Sequence, residues 1–218
     1  MDSRILEVAA ESATQFLLYN GNHFDQLTID LLGGLGRAVG ADRAYVFLVH
    51  GDPNDPMMSY AYEWCEDGIE SQIDNEALHN LKFIPDYEDV LEKLRNKEPF
   101  VLDAVGQGSP CTCDTLSMQD IKSICMLPVW VDGRLWGFVG FDMCRYARKW
   151  HDVEIRGLKI ASGILGAAKQ KNEYQYRLRE PVEILQKIEE ELAVANEKHR
   201  QDIRGVRSEL AALRNGEG

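Results

Sequence analysis

The chain has 218 residues, 36 acidic against 24 basic side chains, a formal net charge of -12 and five cysteines. So acidic a balance excludes a general electrostatic affinity for nucleic acid or anionic lipid, because phosphate binding needs Lys and Arg to displace counterions. Asp2, Glu7 and Glu11 stand where a signal peptide needs a basic end and an unbroken apolar run, no apolar stretch approaches the roughly 20 residues of a bilayer span, and an odd cysteine count points to a reducing cytosol.

Ile5, Leu6, Val8, Ala9, Ala13, Phe16 and Leu17 recur at helical spacing, and Asn20–Asn22 should stop this leading helix. A second helix is expected from Asp25 to Val39, with Gly40 as its C-terminal stop. "RAYVFLVH" reads as a buried strand, "GDPNDP" as a turn, and "MMSYAYEWC" as the returning strand, whose period-2 alternation puts Tyr60, Tyr62 and Trp64 on one face. "GDPNDP" has a superficial calcium-loop look, but Met57 occupies the position an EF-hand gives to Gly, and no Glu closes the loop.

Two short helical patterns, "NEALHNL" and "YEDVLEKLRNKE", and a short strand at "PFVLD" make a cover in the middle of the chain. "SICMLPVWV" and "RLWGFVGFDMC" are apolar runs joined by Asp132-Gly133, the strongest hairpin signal present. The helix that follows carries Val153, Ile155, Leu158, Ala161, Ile164, Leu165 and Ala168 at core-facing spacing. The sum is an α+β fold: an antiparallel sheet with helices chiefly on one face.

From Leu178 onward the apolar period changes to a heptad. Leu178, Leu185, Leu192, His199, Val206 and Leu213 take d, while Val182, Glu189, Asn196, Ile203 and Leu210 take a. A parallel pair of such helices sets Asn196 against Asn196 and fixes register; the apolar seam expected at the interface is Leu178, Val182, Leu185, Leu192, Ile203, Val206, Leu210 and Leu213. A single amphipathic helix folded back on the domain is the alternative. Pro181 is expected to bend or restart the helix. The resulting division is residues 1–19, a leading helix; 20–172, the globular domain; and 173–218, the coiled coil.

Cys111, Cys113 and Cys125 crowd one short stretch. Cys-x-Cys is tighter than usual zinc spacing, and the fourth ligand would have to be Cys144 or His151, so no metal is expected. Cys125 and Cys144 read as small apolar core residues, and Cys111 and Cys113 as members of an exposed loop.

"LGRAVGADRAYVFLV", "YEWCEDGIESQIDN" and "IKSICMLPVWVDGRLWGFVGFDMCRYARKW" together resemble a GAF domain of the subgroup attached to bacterial sensor kinases and diguanylate cyclases, over about Asp25 to Lys171. The resemblance implies a five- or six-stranded sheet, a small-molecule pocket on one face and dimer-forming helices on the other; a non-enzymatic sensory module is expected. Pocket candidates are Tyr60, Tyr62, Trp64, Trp136 and Phe138, for which sheet core is the alternative, and the polar Glu63 and Asp142. The heptad resembles a signalling helix that drives an output module. No kinase or cyclase sequence follows, so a fragment of a larger sensor or an output protein bound in trans is expected. The rival is a free methionine-R-sulfoxide reductase-like GAF enzyme using Cys113, before Asp114; the earlier active-site cysteine of that family is here Cys65, inside a strand. Bilin-binding relatives attach the pigment to a helical Cys often followed by His, and none of the five cysteines has that neighbour. The cyclic-nucleotide signature is also broken, with Asp142-Met143 in place of Asn-Lys. The cofactor is left unknown, and the partners expected are a second copy of the chain, an unidentified small molecule and an output protein.

Overall fold

The computed structural model describes residues 3–19 and 23–215; the expected stop at Asn20–Asn22 and the side chains of Cys111 and Leu213 lie outside what it describes. Two compact units form, Met1–Asn172 and Glu173–Gly218.

In the first unit, α1 (Ser3–Leu18) and α2 (Phe24–Val39) precede the hairpin of β1 (Arg43–Asp52) and β2 (Asp55–Cys65). A 3-10 turn at Glu76–Leu78 and β3 (Leu81–Lys82) lead into α3 (Glu88–Arg95), β4 (Phe100–Leu102) and α4 (Pro110–Met118). β5 (Ser123–Val131) and β6 (Arg134–Met143) form the second hairpin, and α5 (Asp152–Asn215) closes the chain. The six strands make one sheet in the order β3-β2-β1-β6-β5-β4, every pair antiparallel. The expected α+β fold is what forms.

Local chemistry sets the boundaries. Gly40 ends α2 in the left-handed region at φ 67, where its N–H and that of Ala41 reach back to the carbonyls of Arg37 and Gly36. Asp132 and Gly133 both have positive φ, 49 and 74, the two-residue turn whose twist matches a hairpin. Ser109 caps α4 by accepting from the N–H of Thr112, and Pro110 occupies the first turn, where its missing N–H costs nothing. Lys171 donates to the carbonyls of Phe16 and Leu17 at 2.8 Å each, a cation at the C-terminus of α1.

The sheet has a core on each face. On one face α1, α2 and the part of α5 up to Ala168 cover Ala44, Val46, Cys125, Leu127, Val139 and Phe141. On the other, α3, α4 and the 3-10 turn cover Tyr45, Phe47, Tyr60, Ile124, Met126 and Phe138. Each fully buried Leu or Phe contributes roughly 1.5–3 kcal/mol of transfer free energy. The long helices thus share one face, as expected, and the short ones cover the other.

Two β-bulges decide which residues face which core. Val46 pairs with Tyr62 but Phe47 pairs with Tyr60, so Ala61 is an extra residue in β2. Val129 pairs with Gly137 but Trp130 pairs with Leu135, so Trp136 is the extra residue in β6. One inserted residue reverses the alternation. Tyr60 and Phe138 therefore face the α3–α4 side, while Tyr62, Trp64 and Trp136 pack on the α1–α2–α5 side. The single aromatic face expected for Tyr60, Tyr62 and Trp64 does not form.

In the second unit α5 continues without a break through Pro181, although that residue has no N–H for the carbonyl of Arg177. Leu178, Val182, Leu185, Leu192, Ile203, Val206 and Leu210 are all exposed, between 41% and 67%, and Asn196 is exposed with them.

Candidate ligand site

The α3–α4 face holds a cavity of about 40 Å³, room for roughly three waters. Its floor is a ring cluster: Phe47 stacks on Phe138 with centroids 5.1 Å apart, Tyr60 meets Phe47 edge-on at 4.9 Å, and Tyr45 stacks on Tyr60 at 5.2 Å. Such pairs add about 0.5–1.5 kcal/mol each beyond area burial. Its roof comes from α3 and α4. Thr112, Thr115, Leu116 and Gln119 line it at i, i+3, i+4 and i+7, one face of a helix.

Beyond the rings the same face becomes polar. The Tyr60 hydroxyl donates to Glu63 Oε1 at 2.9 Å, and Glu63 also accepts from the N–H of Gln72 at 2.8 Å and from the Ser71 hydroxyl. Burial, with the Glu63 charge, pushes the Tyr60 phenol far above its ordinary range. Arg43 Nε and Nη2 donate to Asp142 Oδ2 at 3.1 and 2.8 Å, with the two side chains only 2% and 0% exposed. Asp142 Oδ1 has no partner among the described residues. Burial raises the Asp142 carboxyl to about 6, with Arg43 working against it. Burial also works against the Arg43 charge, and Asp142 more than offsets it. Asp42 pins the next turn, accepting from the N–H groups of Cys144 and Arg145 at 2.7 and 3.0 Å and from Arg145 Nη1 at 2.7 Å.

Of the seven pocket candidates, Tyr60 and Phe138 line the cavity, and Glu63 and Asp142 belong to the polar end of that face. Tyr62, Trp64 and Trp136 serve the helix face. The Tyr62 hydroxyl donates to Asp25 on α2 at 2.6 Å, Trp64 lies over Gly33 and Gly36 of α2 beneath Arg37, and Trp136 meets Phe24 edge-on. The expected site residues include none of α4, a helix where an exposed loop is expected, although Ser109-Pro110 is a helix start signal. Arg43 was also missed.

The cysteines scatter. Cys113 lies on α4 rather than on an exposed loop, one residue off the cavity-lining stripe, and its Sγ accepts from the N–H of Gly106 at 3.2 Å. Cys125 is buried under the long helices, and Cys144 packs on the opposite core. Burial, chiefly, raises the thiols of Cys65 and Cys125 to about 12 and that of Cys144 to about 11, so they stay protonated at neutral pH. Among the described residues no group of three or more His, Cys, Asp or Glu is arranged to hold a metal. Cys113→Ser should shift stability by no more than about 0.5 kcal/mol; thermal melts of the two proteins check this, and a cooperative loss of several degrees would show a structural role for the thiol.

The comparisons bear on this geometry. A 161-residue stretch, 74% of the chain, is 37% identical to the methanogenesis regulatory histidine kinase FilI of Methanothrix harundinacea (strain 6Ac), of which it spans 18%. Similar folds include the phycocyanobilin-bound GAF domain of a cyanobacterial phytochrome, with TM-score 0.64 and 14% identity over 78% of this chain and 96% of that one. The blue-light-absorbing form of the Thermosynechococcus elongatus PixJ GAF domain aligns at TM-score 0.61 and 13% identity, over 74% and 94%. Residues 24–168, from the start of α2 to the last core position of α5, match the GAF domain family, and with the six-stranded sheet and its two unequal helical covers the chain belongs to that family.

Proposed function

We propose that this GAF domain is a non-enzymatic sensory module, working in the cytoplasm, that binds a small molecule on the α3–α4 face and signals through a parallel homodimer of α5. The observation that supports the binding half is the ring-floored cavity on the face away from the long helices. The absence of Cys113 from the cavity wall, with its Sγ turned to the N–H of Gly106, argues against a thiol-dependent reductase. The name of the 37% identical relative, a regulatory histidine kinase, supports an output of the same kind, made by an effector domain or a partner protein.

The dimer half rests on the exposed stripe from Leu178 to Leu210. Seven apolar side chains left in water on one heptad stripe are stabilised when a second copy covers them, and Asn196 paired with Asn196 satisfies amides that an antiparallel partner would leave facing carbon. Sedimentation equilibrium on the full chain and on a chain ending at Glu180 checks this: truncation should weaken dimerisation at least about tenfold, and Asn196→Ile should strengthen association while loosening its stoichiometry. A full chain that stays monomeric at tens of micromolar, about where an interaction of 6–7 kcal/mol becomes visible, overturns the spine.

A further inference from the structure

We propose that the cavity takes a small neutral molecule that donates a hydrogen bond, of the size and kind of a phenol; this rests on the sensory reading above and names the chemistry of its ligand. None of the fifteen side chains that line the cavity is Asp, Glu, Lys, Arg or His. A carboxylate or phosphate brought there gives up its hydration without meeting a cation, and so is disfavoured. The nearby Arg43 is not in the wall, and it already gives two hydrogen bonds to Asp142. Neither the propionates of a bilin nor the phosphate of a cyclic nucleotide has a partner inside this wall. The Cys113 thiol is on the neighbouring strip of α4 and turned to Gly106.

The polar atoms in the wall define what the ligand must bring. The Tyr60 proton is committed to Glu63, and the Thr112 proton to Asp89 at 3.2 Å. Each oxygen keeps acceptor capacity, since a hydroxyl has two lone pairs and one proton. Tyr87 and Thr115 share one hydrogen bond at 2.7 Å, and Gln119 gives one of its two amide protons to the Thr115 carbonyl at 3.4 Å, so open acceptor sites outnumber the protons left in the wall, which favours a ligand with an O–H or N–H of its own. The present volume is smaller than a ring, but Met58 and Met126 are in the wall, and unbranched thioethers repack at little cost. The aromatic floor then meets a planar molecule face or edge on.

Ligand-observed NMR on the full chain with phenol, benzene and benzoate separates the possibilities. Phenol should bind at least about tenfold more tightly than benzene, and benzoate should not compete with it. Tyr60→Phe should bring phenol down to the benzene level and leave benzene unchanged; if that variant does not fold, the comparison of three probes on the native chain still decides. Competition by benzoate, or phenol binding that Tyr60→Phe leaves untouched, overturns the proposed ligand chemistry while leaving the cavity a sensory site. Binding of none of the three overturns the proposal and, with it, the assignment of this cavity to sensing.

Discussion

Arg43→Met should remove about 3–5 kcal/mol of folding stability at neutral pH, because it leaves the Asp142 carboxylate buried without its guanidinium. The loss should depend on pH in a definite direction. The folded-state value for Asp142 is raised, to about 6 against an ordinary 3.8, so the protonated carboxyl suits the fold better than the ionised one. A carboxyl of this kind favours folding below about 4, and that contribution is lost as pH rises through the folded-state value. Without Arg43 the effect of burial is opposed only by the Tyr45 hydroxyl, the folded-state value climbs further, and the window moves upward. Urea titrations at pH 5 and pH 8 should therefore show a larger deficit for the variant at pH 8. Arg43→Met with Asp142→Leu should recover most of the loss, since an apolar pair removes both desolvation costs. A deficit that is equal at both pH values, or larger at pH 5, would mean that Asp142 is not the group left exposed to the penalty.

Gly137→Ala should cost about 3 kcal/mol, the upper end of ordinary overpacking. A methyl group there would lie 2.2 Å from the carbonyl oxygen of Phe47, which is backbone of the adjacent central strand and not a side chain that can swing away. Relief requires β1 and β6 to part where their ladder joins the two hairpins. In a domain of this size the melting temperature should fall by about 6–12 °C. Gly205→Ala is the matched control: it meets nothing within 4 Å and lies in a helix, where Ala is favoured over Gly by up to about 1 kcal/mol. A neutral Gly137→Ala would mean that the two central strands approach less closely than this.

Elements defined by local chemistry were legible before the fold was known. The end of α2 at Gly40, the hairpin at Asp132-Gly133 and the amphipathic start of α5 each depend on residues within a few positions of one another. The distribution of aromatic residues between the faces was not legible. Whether Tyr60 and Tyr62 share a face is settled by the extra Ala61 opposite Val46 and Phe47, and a bulge is a property of two strands together. Arg43 escaped notice for a similar reason. Its partner is 99 residues away, on a strand that becomes its neighbour only once the β1–β6 pairing is known. In α4 the start signal was present, but a nine-residue helix rich in Cys, Thr and Ser carries little periodic pattern, so its cavity-lining stripe emerged only from the packing.

The placement of the bulges has an optical consequence. Trp64, Trp136 and Trp150 belong to the core beneath the long helices, Trp130 sits beneath Lys97, and no tryptophan lines the cavity. Emission from Trp64, Trp136 and Trp150 is therefore blind to a ligand that merely enters. The rings that touch it are Phe and Tyr, while Trp64, Trp136 and Trp150 lie on the other side of a sheet one residue thick. A change in tryptophan emission that survives Trp130→Phe, which removes the indole beneath Lys97, must have crossed that sheet, so such a chain carries its own gauge of transmission, separate from occupancy.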